Sequence, residues 1–238
     1  MSYEYMTAKQ YETLYARFLK RPPEELLEHA EMKDGDFVLD LCAGNLRASW
    51  AAAEMGASVV HAVDSSPNML GMSVKEATKV YEEVRDGVPC KITAICYDVE
   101  RFLAQVGAPV APRKYDVVIC QQAINYWFCE KAIKDLVKCM AADGRFVFNT
   151  FSRIPLETPT VKQSPISGRP ACVEVSFSVN GMVYHVQCVE GMPPDVQEFR
   201  WISPSQFQET LSKFFKKITT VNEGNTAIYV ASEPLNGG

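Results

Sequence analysis

Residues Phe37 to Arg47 read FVLDLCAGNLR, and the fold follows from how that stretch changes character. An apolar run reaches an acid at Asp40, then breaks through the small residues Cys42, Ala43 and Gly44. An amphipathic segment follows from Asn45 to Gly56, with Asn45 as a good N-cap and Gly56 as its stop. A strand, a tight turn and a helix start in that order mark where open α/β sheets bind ligands. Twenty-four positions on, a second apolar run, SVVHAVD, ends on Asp64, and a third, KITAICYD, ends on Asp98. Three successive strands thus carry a carboxylate at or near the carboxyl end, where such sheets form their crevice. The register of the three points to a small-molecule site.

Outward from that centre the pattern alternates. Ser65-Ser66-Pro67 offers a cap and a proline at a first helical position, which predicts a helix from Asn68 to about Arg85. A strand over Lys91–Cys96 and a short helix over Val99–Val106 come next, then a loop from Gly107 to Lys114. Tyr115 to Cys120 reads as a strand buried on both faces. A helix over Glu130–Ala142 with a stripe of Ile133, Leu136, Val137 and Met140 ends at Asp143-Gly144, before a fifth strand over Arg145–Thr150. Five such alternations imply a doubly wound, mostly parallel sheet.

Beyond it the pattern changes. Ser152–Ala171 holds four prolines and reads as a long loop, while Asn180-Gly181 between two apolar runs is a hairpin signal, and residues 199–202 suit a third strand. A helix from Ser203-Pro204 and two antiparallel strands close the chain, bringing the main sheet to seven strands. The chain is expected to be one domain over 1–238: a helical lid over 1–34, a core over 35–151, an antiparallel β insertion or cap over 152–202, and closing elements over 203–238. Tyr3, Tyr5, Tyr11 and Tyr15 crowd the first segment; it either packs on the core or closes over a ligand.

Composition narrows the function. With 238 residues, 47% hydrophobic, 22% charged and a net charge of −5, the chain is an ordinary globular protein with no basic surface for nucleic acid. No apolar run approaches the ~20 residues of a membrane span, and the amino terminus lacks an apolar leader core, so the cytoplasm is the expectation. Eight cysteines include no CxxC pair, and the three histidines have no ligand spacing, so free thiols and no metal site are expected.

The turn also separates classes of ligand. Aligning GxGxxG puts Cys42, Gly44 and Arg47 at the glycine positions, and one of three matches, which counts against an NAD(P)-dependent oxidoreductase. Asp40 suits a ligand bearing an ammonium group. LDLCAGN resembles the first motif of the class I S-adenosylmethionine-dependent methyltransferases, VDSSPNML their second, YDVERF their third and YDVVICQQAINY their fourth. Cys42 and Leu46 stand where many members have glycine, which also keeps open a catalytically inactive member that serves a partner protein.

The resemblance implies a Rossmann-like methyltransferase fold, S-adenosylmethionine as methyl donor and a small-molecule acceptor methylated on nitrogen or oxygen. It implies that Asp64, with Ser65 beside it, takes the ribose hydroxyls and that Asp98 and Val99 bond the adenine. Met69 would lie on the adenine face, and Ala43, Gly44, Asp40 and the Gln121 carbonyl would meet the methionine end, with Tyr15 closing over it. Gln122, Asn125, Tyr126, Trp127, Arg153 and Arg200 are the acceptor-side candidates, and His185 and Tyr126 the candidates for moving a proton. The hairpin edge could also serve a homodimer contact.

Overall fold

The computed structural model describes residues 22–85, 88–106, 114–153, 157–163, 170–179, 182–189 and 195–235. The expected lid up to residue 21, Tyr15 with it, and the hairpin turn Asn180-Gly181 lie outside that set. β1 (Phe37–Leu41) is at the centre, parallel to β2 (Val59–Asp64) on one side and β5 (Tyr115–Gln121) on the other. β4 (Val88–Cys96) continues the parallel sheet beyond β2, and β6 (Met140–Phe151) continues it beyond β5. Antiparallel strands finish both edges: β3 (Thr78–Arg85) pairs with β4, while β12 (Thr226–Pro234) joins β6 and β11 (Phe215–Glu223) joins β12. The order is β11-β12-β6-β5-β1-β2-β4-β3.

Both faces of this sheet are covered, which is why its central strands read as unbroken apolar runs. α1 (Pro23–His29) and α2 (Arg47–Glu54) cover one face with Leu26, Leu27, Ala48, Ala51 and Ala52 against Val38, Val117, Ile119 and Val147. α3 (Val99–Val106), α4 (Glu130–Cys139) and α5 (Pro204–Ser212) cover the other against Leu39, Leu41, Val118, Phe146 and Phe148. α5 starts on the Ser203–Gln206 capping box behind Pro204. A second sheet of four antiparallel strands has the order β10-β9-β8-β7, with β7 (Glu157–Gln163), β8 (Pro170–Val179), β9 (Met182–Val189) and β10 (Asp195–Arg200).

The doubly wound, mostly parallel sheet with an antiparallel insertion after the fifth parallel strand is as expected, but four local readings are corrected. The helix expected from Asn68 to about Arg85 is absent: residues 68–77 form turns and 78–85 a strand, so the main sheet has eight strands and not seven. Val80, Tyr81 and Val84 favour the pleat, Arg85 pairs with Val88, and the Asp86-Gly87 dipeptide in the sequence is the hairpin signal that was passed over. The fourth helix ends at Cys139, and β6 takes Met140 to Gly144 through a register shift opposite Tyr115–Val117. Within the expected loop Ser152–Ala171, residues 157–163 are strand β7, an edge strand, where its one proline is tolerated. Leu46 replaces Asn45 as the N-cap of α2.

α1 ends in a Schellman-type turn: Met32 N–H donates to the Leu27 carbonyl at 3.1 Å and exposed Glu31 holds φ at 51°. A side chain there opposes the left-handed backbone, so Glu31→Gly should raise stability by about 1 kcal/mol. A higher urea midpoint at unchanged slope would show it; an unchanged or lower midpoint would count against it.

Candidate active site

The turn after β1 is built from alternating left-handed residues. Cys42, Gly44 and Leu46 have φ of 57°, 52° and 64°, yet Gly44 is the one glycine of the three. Such a conformation costs a non-glycine residue about 1–2 kcal/mol, and neighbours hold it here. Leu46 is 4% exposed within the α1–α2 core, Ala43 N–H donates to the Val63 carbonyl at 3.0 Å, and Leu46 N–H donates to the Ala43 carbonyl at 2.9 Å. Leucine anchored by its side chain thereby does the job of a glycine.

Two carboxylates meet this turn, Asp40 buried and Asp64 half-buried. Asp64, at the end of β2, accepts Gly44 N–H on Oδ2 at 2.9 Å and Ser66 N–H on Oδ1 at 2.8 Å. Burial still raises its carboxyl above the ordinary range, against those amides and that of Ser65. Asp40 is 1% exposed and accepts the Ser49 hydroxyl on Oδ2 at 2.6 Å. Burial pushes it up to about 7, and the charge of Asp64 adds to that. Between the ordinary carboxylate range and about pH 7 the folded chain therefore holds a proton that the unfolded chain has released, so stability falls as pH rises across that window.

Asp40, Ala43 and Gly44 line one cleft with Gln121 and Gln122 across it. Cys42, Asn45, Arg47 and Ala48 also line it, and sequence reasoning missed them as site residues. For Asn45 and Arg47 the available signal was their place in the turn and first turn of α2. The cleft fits the amino-acid end of S-adenosylmethionine: its walls offer a carboxylate to an ammonium, an arginine to a carboxylate, and a turn without bulky side chains for close approach.

The other predicted residues divide. Met69, 4% exposed, lies against the turn, its Cε 3.5 Å from where a Cβ on Gly44 would be. Ser65 is exposed beside Asp64. Asp98 is exposed and caps α3, accepting Arg101 N–H at 3.0 Å, with Val99 buried behind it. That capping bond uses one oxygen of the carboxylate.

At the carboxyl ends of β5 and β6 four polar residues interlock. Gln122 has φ 58° and donates its N–H to Asn149 Oδ1 at 2.8 Å; Asn125 Nδ2 donates to Thr150 Oγ1 at 2.8 Å. An amide N–H must face oxygen, so Asn149 Nδ2 is the outlying donor, and it has no partner among the described residues; nor has Asn125 Oδ1. Asn149 and Thr150 were missed, although strand ends were where the acids had been sought. Tyr126, 42% exposed, meets the Phe199 ring edge-on at 5.9 Å, and Phe199 stacks on Phe151 at 6.4 Å, so the small sheet touches the main one beside these amides. Trp127 is instead 5% exposed and packs on Phe146 in the core. Arg153 and Arg200 are exposed. His185 pairs with Gln197 and Ser176 on the cap, two residues from buried Val183; its side chain lies outside the described residues.

A parallel sheet carrying a close-approach turn and two acids at its carboxyl edge defines a Rossmann-like fold. Residues 39–148 match the family model described as a methyltransferase domain. The four motifs that resemble the class I S-adenosylmethionine-dependent methyltransferases all lie within that stretch. The fold is shared with an S-adenosylmethionine-dependent methyltransferase from Clostridium acetobutylicum, at 15% identity and a TM-score of 0.66 over 94% of this chain and 96% of that one. An amino pentose methyltransferase from Micromonospora echinaspora, solved with S-adenosylmethionine bound, gives 15% identity and a TM-score of 0.65 over the same shares. A sugar N-methyltransferase from Streptoalloteichus gives 13% and 0.60 over 94% of this chain and 92% of that one. No curated protein matches the chain in sequence.

Proposed function

We propose that the chain transfers the methyl group of S-adenosylmethionine to a nitrogen or oxygen of a small, polar acceptor. The observation that carries the reading is one cleft in which buried Asp40, the Ala43–Gly44 turn and Gln121 converge, with Asp64 bonded to the Gly44 amide at its end. In this reading Asp64 and Ser65 take the ribose, Asp98, Val99 and Met69 the adenine, and Asp40 with the Gln121 carbonyl the ammonium. Arg47 takes the carboxylate, and Tyr15 is proposed to meet the same ligand.

S-adenosylmethionine supplies a methyl group already activated on a sulfonium. The protein's task is then to align the acceptor, strip water from it and, where needed, accept its proton. Asn149 Nδ2 and the Asn125 amide offer neutral hydrogen bonds, and Tyr126 and Phe199 offer apolar faces, which together suit a hydroxylated or amino-bearing metabolite better than a polyanion. Gln122 completes that wall, with Arg153 and Arg200 at the rim. Tyr126 and His185 are the groups proposed to move a proton, His185 standing two residues from Val183 along β9. Trp127 serves this wall from behind, through the core. The whole chain acts as one unit in the cytoplasm, where thiols such as Cys42 and Cys120 stay free, and the edge of the small sheet is where a second copy would pair. No described helix is long and apolar enough to cross a membrane.

Titration calorimetry with S-adenosylmethionine, S-adenosylhomocysteine and NADH tests the reading. Micromolar binding of the first two, without NADH, is expected. Binding without turnover on any amine, alcohol or phenol would favour a non-catalytic partner protein; NADH binding alone would make the protein an oxidoreductase.

A further inference from the structure

Asp40 stands on the face of the main sheet that α2 covers, and Ser49 reaches it from the first turn of that helix. The Ser49 hydroxyl donates to Asp40 Oδ2 at 2.6 Å and the Ser49 backbone N–H bonds the same carboxyl. Both side chains are out of water, at 0% and 1% exposure, so nothing competes for the bond. First-turn amides have no partner inside their own helix, so the carboxylate completes the start of α2 while it lines the cleft. The other titratable or charged groups around it are Asp64 at the end of β2, Cys42 in the turn with Cys120 of β5 behind it, and Arg47 on the cleft wall. Of these, the charge of Asp64 opposes a negative charge on Asp40, while the thiol of Cys42, pushed up by Cys120 and by burial, stays neutral.

We propose that Ser49, which touches no ligand, is the positioning residue that keeps Asp40 ionised and aimed at the ammonium of the methyl donor. The inference rests on the reading of the cleft given above. Because Asp40 titrates near neutrality, at about 7, its ionised fraction changes across the range in which the protein can be studied. A hydroxyl donates more strongly to a charged carboxylate than to a neutral one, and losing such a bond moves the titration up by about one to two pH units. The Ser49 N–H bond survives substitution, so an alanine there isolates the hydroxyl.

The test is calorimetric titration of the full chain with S-adenosylhomocysteine, which carries the same ammonium, from about pH 5.5 to about pH 9, a range that brackets the Asp40 titration. Affinity of the wild type should rise about tenfold between about pH 6 and about pH 8, as one carboxylate ionises. In Ser49→Ala that acid limb should move up by about one to two units, weakening binding about tenfold at neutral pH while the two proteins converge near pH 9. Ser49→Thr, which keeps the hydroxyl, should retain the wild-type limb, and Asp40→Asn should bind weakly with no limb. The amino group of the ligand loses its proton on the alkaline side in every variant alike, so the acid limb is the readout. Binding by Ser49→Ala that is weaker by one constant factor at every pH, or a wild type that binds without an acid limb, would overturn the proposal. A limb that persists in Asp40→Asn would assign it to Asp64 and overturn it equally. Absence of wild-type binding at any pH would instead reject the methyl-donor reading itself.

Discussion

Asp64→Asn should abolish measurable binding of S-adenosylmethionine, a loss of at least about a hundredfold. The carboxylate accepts Gly44 N–H on one oxygen and Ser66 N–H on the other. Asparagine has one oxygen, so its NH2 must face one of those N–H groups, donor against donor. The Gly44 turn or the start of the Ser66 turn then opens, and in the proposed complex two ribose hydroxyls lose a charged partner. Hydrogen bonds to a charged group are worth about 1.5–3 kcal/mol each, so two of them exceed the hundredfold. Calorimetry reads the affinity, and a melt on the same samples reads the turn. An unchanged affinity would mean that the ribose binds away from β2.

The largest loss of stability should come from Phe148→Ala. Phe148 is fully buried and stacks on Tyr229 at 5.0 Å with the rings 8° from parallel, with Phe146 at 5.0 Å and Phe207 at 5.3 Å. That cluster joins β6, β12 and α5, so truncation leaves a cavity bounded by three elements that cannot all collapse into it. The expected cost is about 3–5 kcal/mol, against under about 1.5 kcal/mol for Phe148→Leu. Urea unfolding of the two variants measures both. A loss below about 1 kcal/mol for alanine would show that the site closes around the gap. Asn149 and Thr150 follow directly on β6, so the same variant should also weaken whatever those residues hold at the sheet edge.

The central strands and the main turn were legible because each is decided locally. A strand buried on both faces must be apolar, and an acid where it emerges has no packing reason to be there, so Asp40 and Asp64 stood out. Residues 78–85 were misread because Ser65-Ser66-Pro67 is a true start signal followed by a turn rather than a helix; pairing with β4, a contact across the chain, decided the outcome. Cys42 and Leu46 looked like departures, whereas their backbone keeps the left-handed conformation that glycine would take. No local rule reports that burial of the Leu46 side chain can hold such a turn. Asn149 and Ser49 were invisible for a different reason: their importance lies in what they touch, Gln122 and Asp40, and those contacts are set by the fold rather than by neighbouring sequence.

The small sheet leaves the main one after Phe151 and returns before Ile202, and the rings of Phe151 and Phe199 lie 6.4 Å apart. An excursion of about fifty residues thus begins and ends at one place, and the entropy of closing such a loop grows only as the logarithm of its length. Across that gap β6 stays in register with β12, Phe151 opposite Thr226, whatever lies between. The core is therefore almost indifferent to the size of what it carries there. Insertions, deletions or wholesale replacement of the small sheet would leave β6 and β12 paired, so under the proposed function the acceptor side can change while the methyl-donor side is kept.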